Sequence, residues 1–233
     1  MTNNDALSKY HFFSRINIDL LLPEDRLHFN EIGTINSYKK KEIIYQEGTL
    51  SKGAYLIKRG MVKVYQTNAD GKEHIIFFFS EGEIFGFRPL LSNDTQPFTA
   101  KCLINCEIKY INKDYFLNLI DTSPLFTKQL LTGLSHSFTV LVNRINFFAQ
   151  NNIRQRLALA ILLLNEKYKL PNSLSEISNI NISRGDLACY IGSSIDVVSR
   201  NINFFLENNY IRTKGKSIYI VDFKGLVKVS GIT

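Results

Sequence analysis

The stretch from Ser183 to Asn208, SRGDLACYIGSSIDVVSRNINFFLEN, carries the residues best suited to chemistry, and that chemistry is recognition. Ser183 with Asp186 three residues on resembles a capping box, which satisfies the first N–H groups of a helix. Leu187, Ala188 and Ile191 give that helix a short apolar face. Gly192-Ser193-Ser194 breaks it, and Ser194 can cap the next helix. The second helix places Val198, Ile202, Phe205 and Leu206 on one apolar side. Ala188 lets two helices cross closely, Gly192 suits a turn with positive φ, and Val198 is a stiff anchor. The pattern predicts a helix-turn-helix. Ile195, Asp196, Ser199, Arg200 and Asn203 are left on the outer face, where a recognition helix meets base edges in the major groove. Arg200 can pair bidentately with guanine O6 and N7, Asp196 can accept from cytosine N4, and Ser199 can donate to a base or phosphate. Asn201 stands where such helices usually carry an apolar residue, and Ile202 beside it can supply the packing.

The next segment, YIRTKGKSIYIVD, reads as a hairpin turning at Lys214-Gly215-Lys216. Its two lysines suit phosphates, as do Arg184 near a helix N-terminus and Ser194. A helical hairpin with a β-hairpin could instead serve protein contacts. The formal charge of +7 favours a polyanionic partner, although a lysine-rich surface alone would give the same number.

The elements that must position these residues follow from texture. From Ile35 to Ile111, β-branched and aromatic runs alternate with glycine turns, and Gly60, Gly71 and Gly82 fall 11 residues apart. That rhythm predicts antiparallel strands closing into a jelly roll. Asp70-Gly71 marks a hairpin, and Pro23-Glu24 opens a helix in the short helical lead-in before the strands. From Leu125 to about Ala149 the period changes. Leu130, Leu134, Phe138, Leu141, Ile145 and Phe148 step by 3 or 4, the spacing of a coiled-coil seam, which favours self-association over packing on its own sheet. Asn151-Asn152 interrupts the pattern as a hinge. A second helix then runs to Lys169 and ends at Pro171-Asn172-Ser173. The expected fold is α+β, a β-roll over 1–122, a dimerisation helix and hinge over 123–152, and a winged helix-turn-helix over 153–233.

Other chemistry finds little support. No GxxxxGK[ST], HExxH or GxSxG occurs, so an enzyme is not expected. No apolar run approaches the roughly 20 residues of a membrane span. The N-terminus lacks a secretory pattern, and three cysteines suit a reducing cytoplasm. Cys102 and Cys106 read as buried structural thiols on a strand, and His74 and His136 as isolated histidines.

The order β-roll, long helix, winged helix-turn-helix resembles the family of the cyclic-AMP receptor protein and the fumarate-nitrate regulator. QEGTLSKGAYLIKRGMVKVYQTNADGKEHIIFFFSEGEIFG looks like that family's cyclic-nucleotide-binding β-roll, and ISRGDLACYIGSSIDVVSRNINFFLENNYIRTKGKSIYI resembles its DNA-binding end. The resemblance implies a homodimer on double-stranded DNA, with a two-fold symmetric operator whose half-sites lie about one helical turn apart. It also implies contact with RNA polymerase. Base reading by a glutamate, a serine and an arginine carries over to Asp196, Ser199 and Arg200. Ile195 replaces a further arginine of the cyclic-AMP receptor.

The family's nucleotide site does not carry over. Phe87 stands where a glutamate holds the ribose, Pro97-Phe98 where an Arg-Ser pair holds the phosphate, and Leu141 and Val142 near the adenine contacts. Without its arginine a buried cyclic phosphate is poorly compensated. Arg88, one place off the glutamate position, is either a cation for another anion or a surface arginine in a turn. The iron-sulfur branch needs clustered cysteines that are absent. The expectation is a regulator with no cofactor, an effector of unknown identity, and no response to cyclic AMP. The alternative is a cyclic-nucleotide or other small-molecule sensor with non-standard ligand residues.

Overall fold

The computed structural model describes residues 3–12, 14–15, 21–169 and 178–232. Helices α1 (Asn3–Ser8) and α2 (Pro23–Glu31) precede eight strands: β1 (Thr34–Tyr38), β2 (Ile43–Tyr45), β3 (Gly53–Arg59), β4 (Met61–Thr67), β5 (Glu73–Ser80), β6 (Ile84–Phe85), β7 (Thr99–Cys102) and β8 (Cys106–Asn112). A short helix, α3 (Arg88–Ser92), lies between β6 and β7. The strands form two four-stranded sheets, in the orders β1-β8-β3-β6 and β2-β7-β4-β5. That is the expected jelly roll. Gly71, at φ +75°, turns the β4–β5 hairpin. The Asn68 side-chain oxygen accepts the N–H groups of Asp70 and Lys72 at 3.1 and 2.8 Å. Cys102 and Cys106 are buried as expected, but the turn between β7 and β8 separates them, so they do not share a strand.

Helices α4 (Lys113–Thr122) and α5 (Pro124–Gln150) follow. Phe116, Leu119, Phe126 and Leu130 close one end of the β-roll against Phe29, Leu56, Ile84, Phe87 and Ile111. The α5 seam expected from the sequence is therefore corrected. Leu130 is buried in that core and Leu134 packs against it. The exposed stripe instead runs through Leu131, Phe138, Val142 and Ile145, of which Phe138 and Ile145 were in the expected seam. A helix with apolar residues on two faces offers two interleaved 3.5-residue patterns, and only burial separates them.

The C-terminal elements are α6 (Ile153–Tyr168), β9 (Ile180–Asn181), α7 (Arg184–Ile191), α8 (Ile195–Glu207), β10 (Ile211–Lys214), β11 (Ser217–Ile220) and α9 (Phe223–Ser230). Asn152 caps α6 in a reciprocal capping box with Gln155. The helix end expected at Pro171-Asn172-Ser173 lies outside the described residues. Strand β9 adds a third member to the wing sheet, in the order β10-β11-β9, which the sequence pattern did not suggest. Leu157 to Leu164 of α6 are all buried and build the local core with Leu187, Val198, Ile202, Phe205, Ile218 and Leu226.

The chain divides into two compact units. One takes in residues 1–12, 67–75 and 139–233, the other 13–66 and 76–138.

Candidate nucleic-acid interface

Helix α7 begins as its sequence requires. Asp186 N–H donates to Ser183 Oγ at 3.0 Å, and the Ser183 hydroxyl donates to Asp186 Oδ2 at 2.6 Å. Gly192 ends the helix at φ +67°, where a side chain would strain the backbone. Ser194 then caps α8, accepting Val197 N–H at 3.3 Å. Val198, Ile202 and Phe205 face inward and are buried. Locking α8 this way leaves Ile195, Asp196, Arg200 and Asn203 exposed, with Ser199 half-buried among them. Positions spaced by four share a helix face, so the five form one surface.

Their hydrogen bonds refine the roles. The Ser199 hydroxyl donates to the Ile195 carbonyl at 2.8 Å, so its proton is committed within the helix and what it presents outward is an acceptor. Ser194 likewise spends its oxygen on the cap. Asp196 lies in the first turn of α8, where the helix dipole favours a carboxylate. Lys214, Gly215 and Lys216 form the exposed wing tip, with Gly215 at φ +61°. Arg184 opens α7 and is half-buried, and that burial lowers its pKa. The sequence pattern missed two cations. Arg212 on the wing lies over the Tyr219 ring at 4.9 Å, and Arg154 at the start of α6 touches α8 itself. Arg212 lies in the wing segment itself, whereas Arg154 lies outside both the helix-turn-helix and the wing, so only the folded chain brings it there.

The β-roll interior is aromatic. Tyr45, Tyr55, Phe85, Phe79 and Phe77 succeed one another with centroids 5.2 to 5.9 Å apart. Gly86, at φ +77°, lets the chain pass the Tyr55 ring, which a Cβ there would meet at 2.7 Å. Arg88 is not the surface arginine that a turn position suggests. Its guanidinium lies 5.3 Å from the Phe77 centroid, and burial lowers its pKa. Phe98 meets Phe77 edge-on at 6.4 Å, while Pro97 is exposed. Phe87 and Arg88 also border a cleft with Ser14, Arg15, Gln129 and Ser137, which Pro97 and Phe98 do not line. Leu141 and Val142, expected in the same pocket, fall in the other unit, half-buried and exposed respectively. Among the described residues no group of three His, Cys, Asp or Glu side chains could hold a metal ion, and no helix is long and apolar enough to cross a membrane.

Comparison with known proteins agrees with this geometry. Residues 35–123 match the cyclic nucleotide-binding domain and residues 155–229 the Crp-like helix-turn-helix domain. The anaerobic regulatory protein of Haemophilus influenzae is 25% identical over 193 residues, covering 83% of this chain and 75% of its own. Electron transport regulator A of Shewanella oneidensis is 27% identical, covering 83% and 77%. The fumarate and nitrate reduction regulatory protein of Escherichia coli is 25% identical, covering 84% and 78%. Among solved structures, FixK2 from Bradyrhizobium japonicum superposes with a TM-score of 0.76 at 18% identity, covering 85% of this chain and 97% of that one. A CRP/FNR-family transcriptional regulator of Thermus thermophilus gives 0.70 at 22%, covering 85% and 98%. With the outer face of α8 exposed after the Gly192 turn, a hairpin tipped by Lys214 and Lys216, and both parts of the chain matched in order, the chain belongs to the CRP/FNR family of DNA-binding transcription regulators.

Proposed function

We propose that the protein acts in the cytoplasm as a homodimer on a two-fold symmetric operator, and that its β-roll answers to an effector other than cyclic AMP. The observation that carries the dimer is the α5 stripe. Leu131, Phe138, Val142 and Ile145 are 60%, 71%, 42% and 68% exposed, an apolar row at the seven-residue repeat of a helix pair. A second α5 fits it. Two copies would present two recognition helices to half-sites about one DNA turn apart. Asp196, Ser199, Arg200, Ile195 and Asn203 would face bases, and Lys214, Lys216, Arg184 and Ser194 the backbone.

The three parts proposed for the chain are an effector domain over 1–122, a dimerisation helix and hinge over 123–152, and a DNA-binding domain over 153–233. An effector would act by biasing the DNA-binding heads between two orientations, one of them suited to the operator and to RNA polymerase. Because Arg144 of α5 stacks on Tyr190 of α7 across the hinge expected at Asn151-Asn152, the end of α5 would move with each head. Against cyclic AMP stand Phe87, Pro97 and Phe98 at the family's ligand positions and the aromatic filling of the β-roll. Selection from random-sequence duplex DNA tests the reading. A two-fold symmetric consensus supports it, and no enrichment refutes it. Calorimetry with cyclic AMP and cyclic GMP separates the effector readings: heat at micromolar ligand would favour the sensor with non-standard residues.

A further inference from the structure

Asn201 is the residue of α8 that does not fit the apolar pattern, and Arg154 accounts for it. Arg154 Nε donates to Asn201 Oδ1 at 3.1 Å. The Asn201 amide nitrogen in turn donates to the Val197 carbonyl at 2.9 Å. Both ends of the amide are thus used in one orientation, because the guanidinium only donates and the carbonyl only accepts. The Arg154 guanidinium also lies over the Phe204 ring, 3.7 Å from its centroid. Phe204 in turn meets Phe205 and Tyr210, with centroids 6.0 and 6.5 Å away. Arg154 therefore grips α8 at two places three residues apart, next to the positions that face outward.

Its other end is equally fixed. Arg154 is the second residue of α6, immediately after the Asn152 cap and Ile153. The α6 body beyond it is buried from Leu157 to Asn165. The grip thus starts at the N-terminus of α6 and ends on α8.

We propose that Arg154 is a positioning residue for DNA recognition: it sets the orientation of α8 through Asn201 and Phe204, and does not act as a phosphate ligand. This rests on α8 being the recognition helix. The arrangement needs a planar fork that can stack and donate together, which a lysine ammonium cannot supply. An arginine on a phosphate would be replaceable by lysine and would neutralise charge on every duplex.

The test uses the full chain, an operator obtained by random-sequence selection, and a scrambled duplex of the same length. Affinities for both are measured across a salt series for wild type, Arg154→Ala, Arg154→Lys, Asn201→Ala, the Arg154→Ala/Asn201→Ala pair, and Arg200→Ala. Arg154→Ala should lose about tenfold on the operator and little on the scrambled duplex, with an unchanged salt slope. Arg154→Lys should not restore the loss, and the pair should be no worse than Arg154→Ala alone. Asn201→Ala removes the hydrogen bond while keeping the charge, and should reproduce part of the operator loss even if the arginine variants fold poorly. Equal loss on both duplexes, a salt slope lowered by about 0.9 and rescue by lysine would overturn the proposal in favour of a phosphate contact. No change in any Arg154 or Asn201 variant would overturn it as well. If Arg200→Ala left operator binding intact, the reading of α8 itself would fall, and the positioning role with it.

Discussion

The Arg144 guanidinium lies over the ring of Tyr190, 5.6 Å from its centroid, and so ties the last third of α5 to α7. The same arginine donates from Nε to the Tyr10 carbonyl at 3.0 Å. Asn143 donates to the Lys9 carbonyl at 2.9 Å, and the Tyr10 ring meets Phe147 edge-on at 5.3 Å. Residues 7–12 thus strap the end of the long helix to the DNA-binding core, with Leu7 and Phe12 3% and 1% exposed. The sequence pattern marked this stretch only as a helical lead-in.

Cutting Arg144 back should cost stability, since it strips a hydrogen bond and a stacked cation from a nearly buried site. Arg144→Ala is expected to lose about 2 kcal/mol, within the range for a broken buried hydrogen bond to a charged group. Phe12→Ala should cost about 3–5 kcal/mol through the cavity it leaves. Urea unfolding checks both. Because Arg144 packs directly on the strap, Arg144→Ala in a chain lacking residues 1–12 should cost clearly less than in the full chain. Full additivity would mean the strap and Arg144 act independently.

The corrected stripe on α5 makes a sharper prediction than the seam read from sequence. Phe138→Glu and Ile145→Glu should convert a dimer to monomer in sedimentation equilibrium while the folded chain keeps its secondary structure, because both side chains are exposed in the single chain. Leu130→Ala should do the reverse. It should lose about 2–5 kcal/mol of stability and remain dimeric, since Leu130 is 5% exposed within the β-roll core. Dissociation by Leu130→Ala at unchanged stability would restore the original seam.

That contrast shows where sequence reading reaches and stops. The two caps, the Gly192 break and the wing turn were legible because each rests on local backbone chemistry within four residues. The jelly-roll rhythm was legible from glycine turns 11 residues apart, each turn itself a local backbone feature. The facing of α5 was not, because Leu130 and Leu131 are chemically equivalent and only the folded core, of which Leu130 is a member, decides which is covered. Arg88 and Arg154 were unreadable in the same way. Their partners Phe77 and Phe204 lie 11 and 50 residues away, and neither pairing leaves a spacing signal.

Alkaline pH should weaken the β-roll through its tyrosines. Burial pushes the Tyr55 phenol from 10.0 up to about 12, with Tyr110 and Tyr38 adding to it, and burial drives Tyr45 higher still. A raised folded pKa means that the unfolded chain ionises first. The stability these groups contribute is complete below pH 10 and is lost as pH rises through about 12. Urea midpoints should therefore fall over that window. Tyr55→Phe, which has no proton to lose, should flatten the fall. The same slope in wild type and Tyr55→Phe would show that the Tyr55 phenol is not its source.

Arg200 and the wing lysines should fail in different ways on DNA. Arg200 is exposed on α8 with a guanidinium able to take both acceptors of a guanine edge. Arg200→Ala should cost about 1–3 kcal/mol on the selected operator and make the protein indifferent to that base pair. Lys214 and Lys216 stand at the tip of the β10–β11 turn, where they meet charge and not sequence. Lys214→Ala or Lys216→Ala should weaken operator and scrambled duplex alike, and lower the salt slope by about 0.9 for each phosphate no longer neutralised. Binding assays over a salt series with all four base pairs at the affected position separate the two outcomes. If Arg200→Ala lowered the salt slope and kept the base preference, the arginine would be a backbone contact and another residue of the α8 face would be the reader.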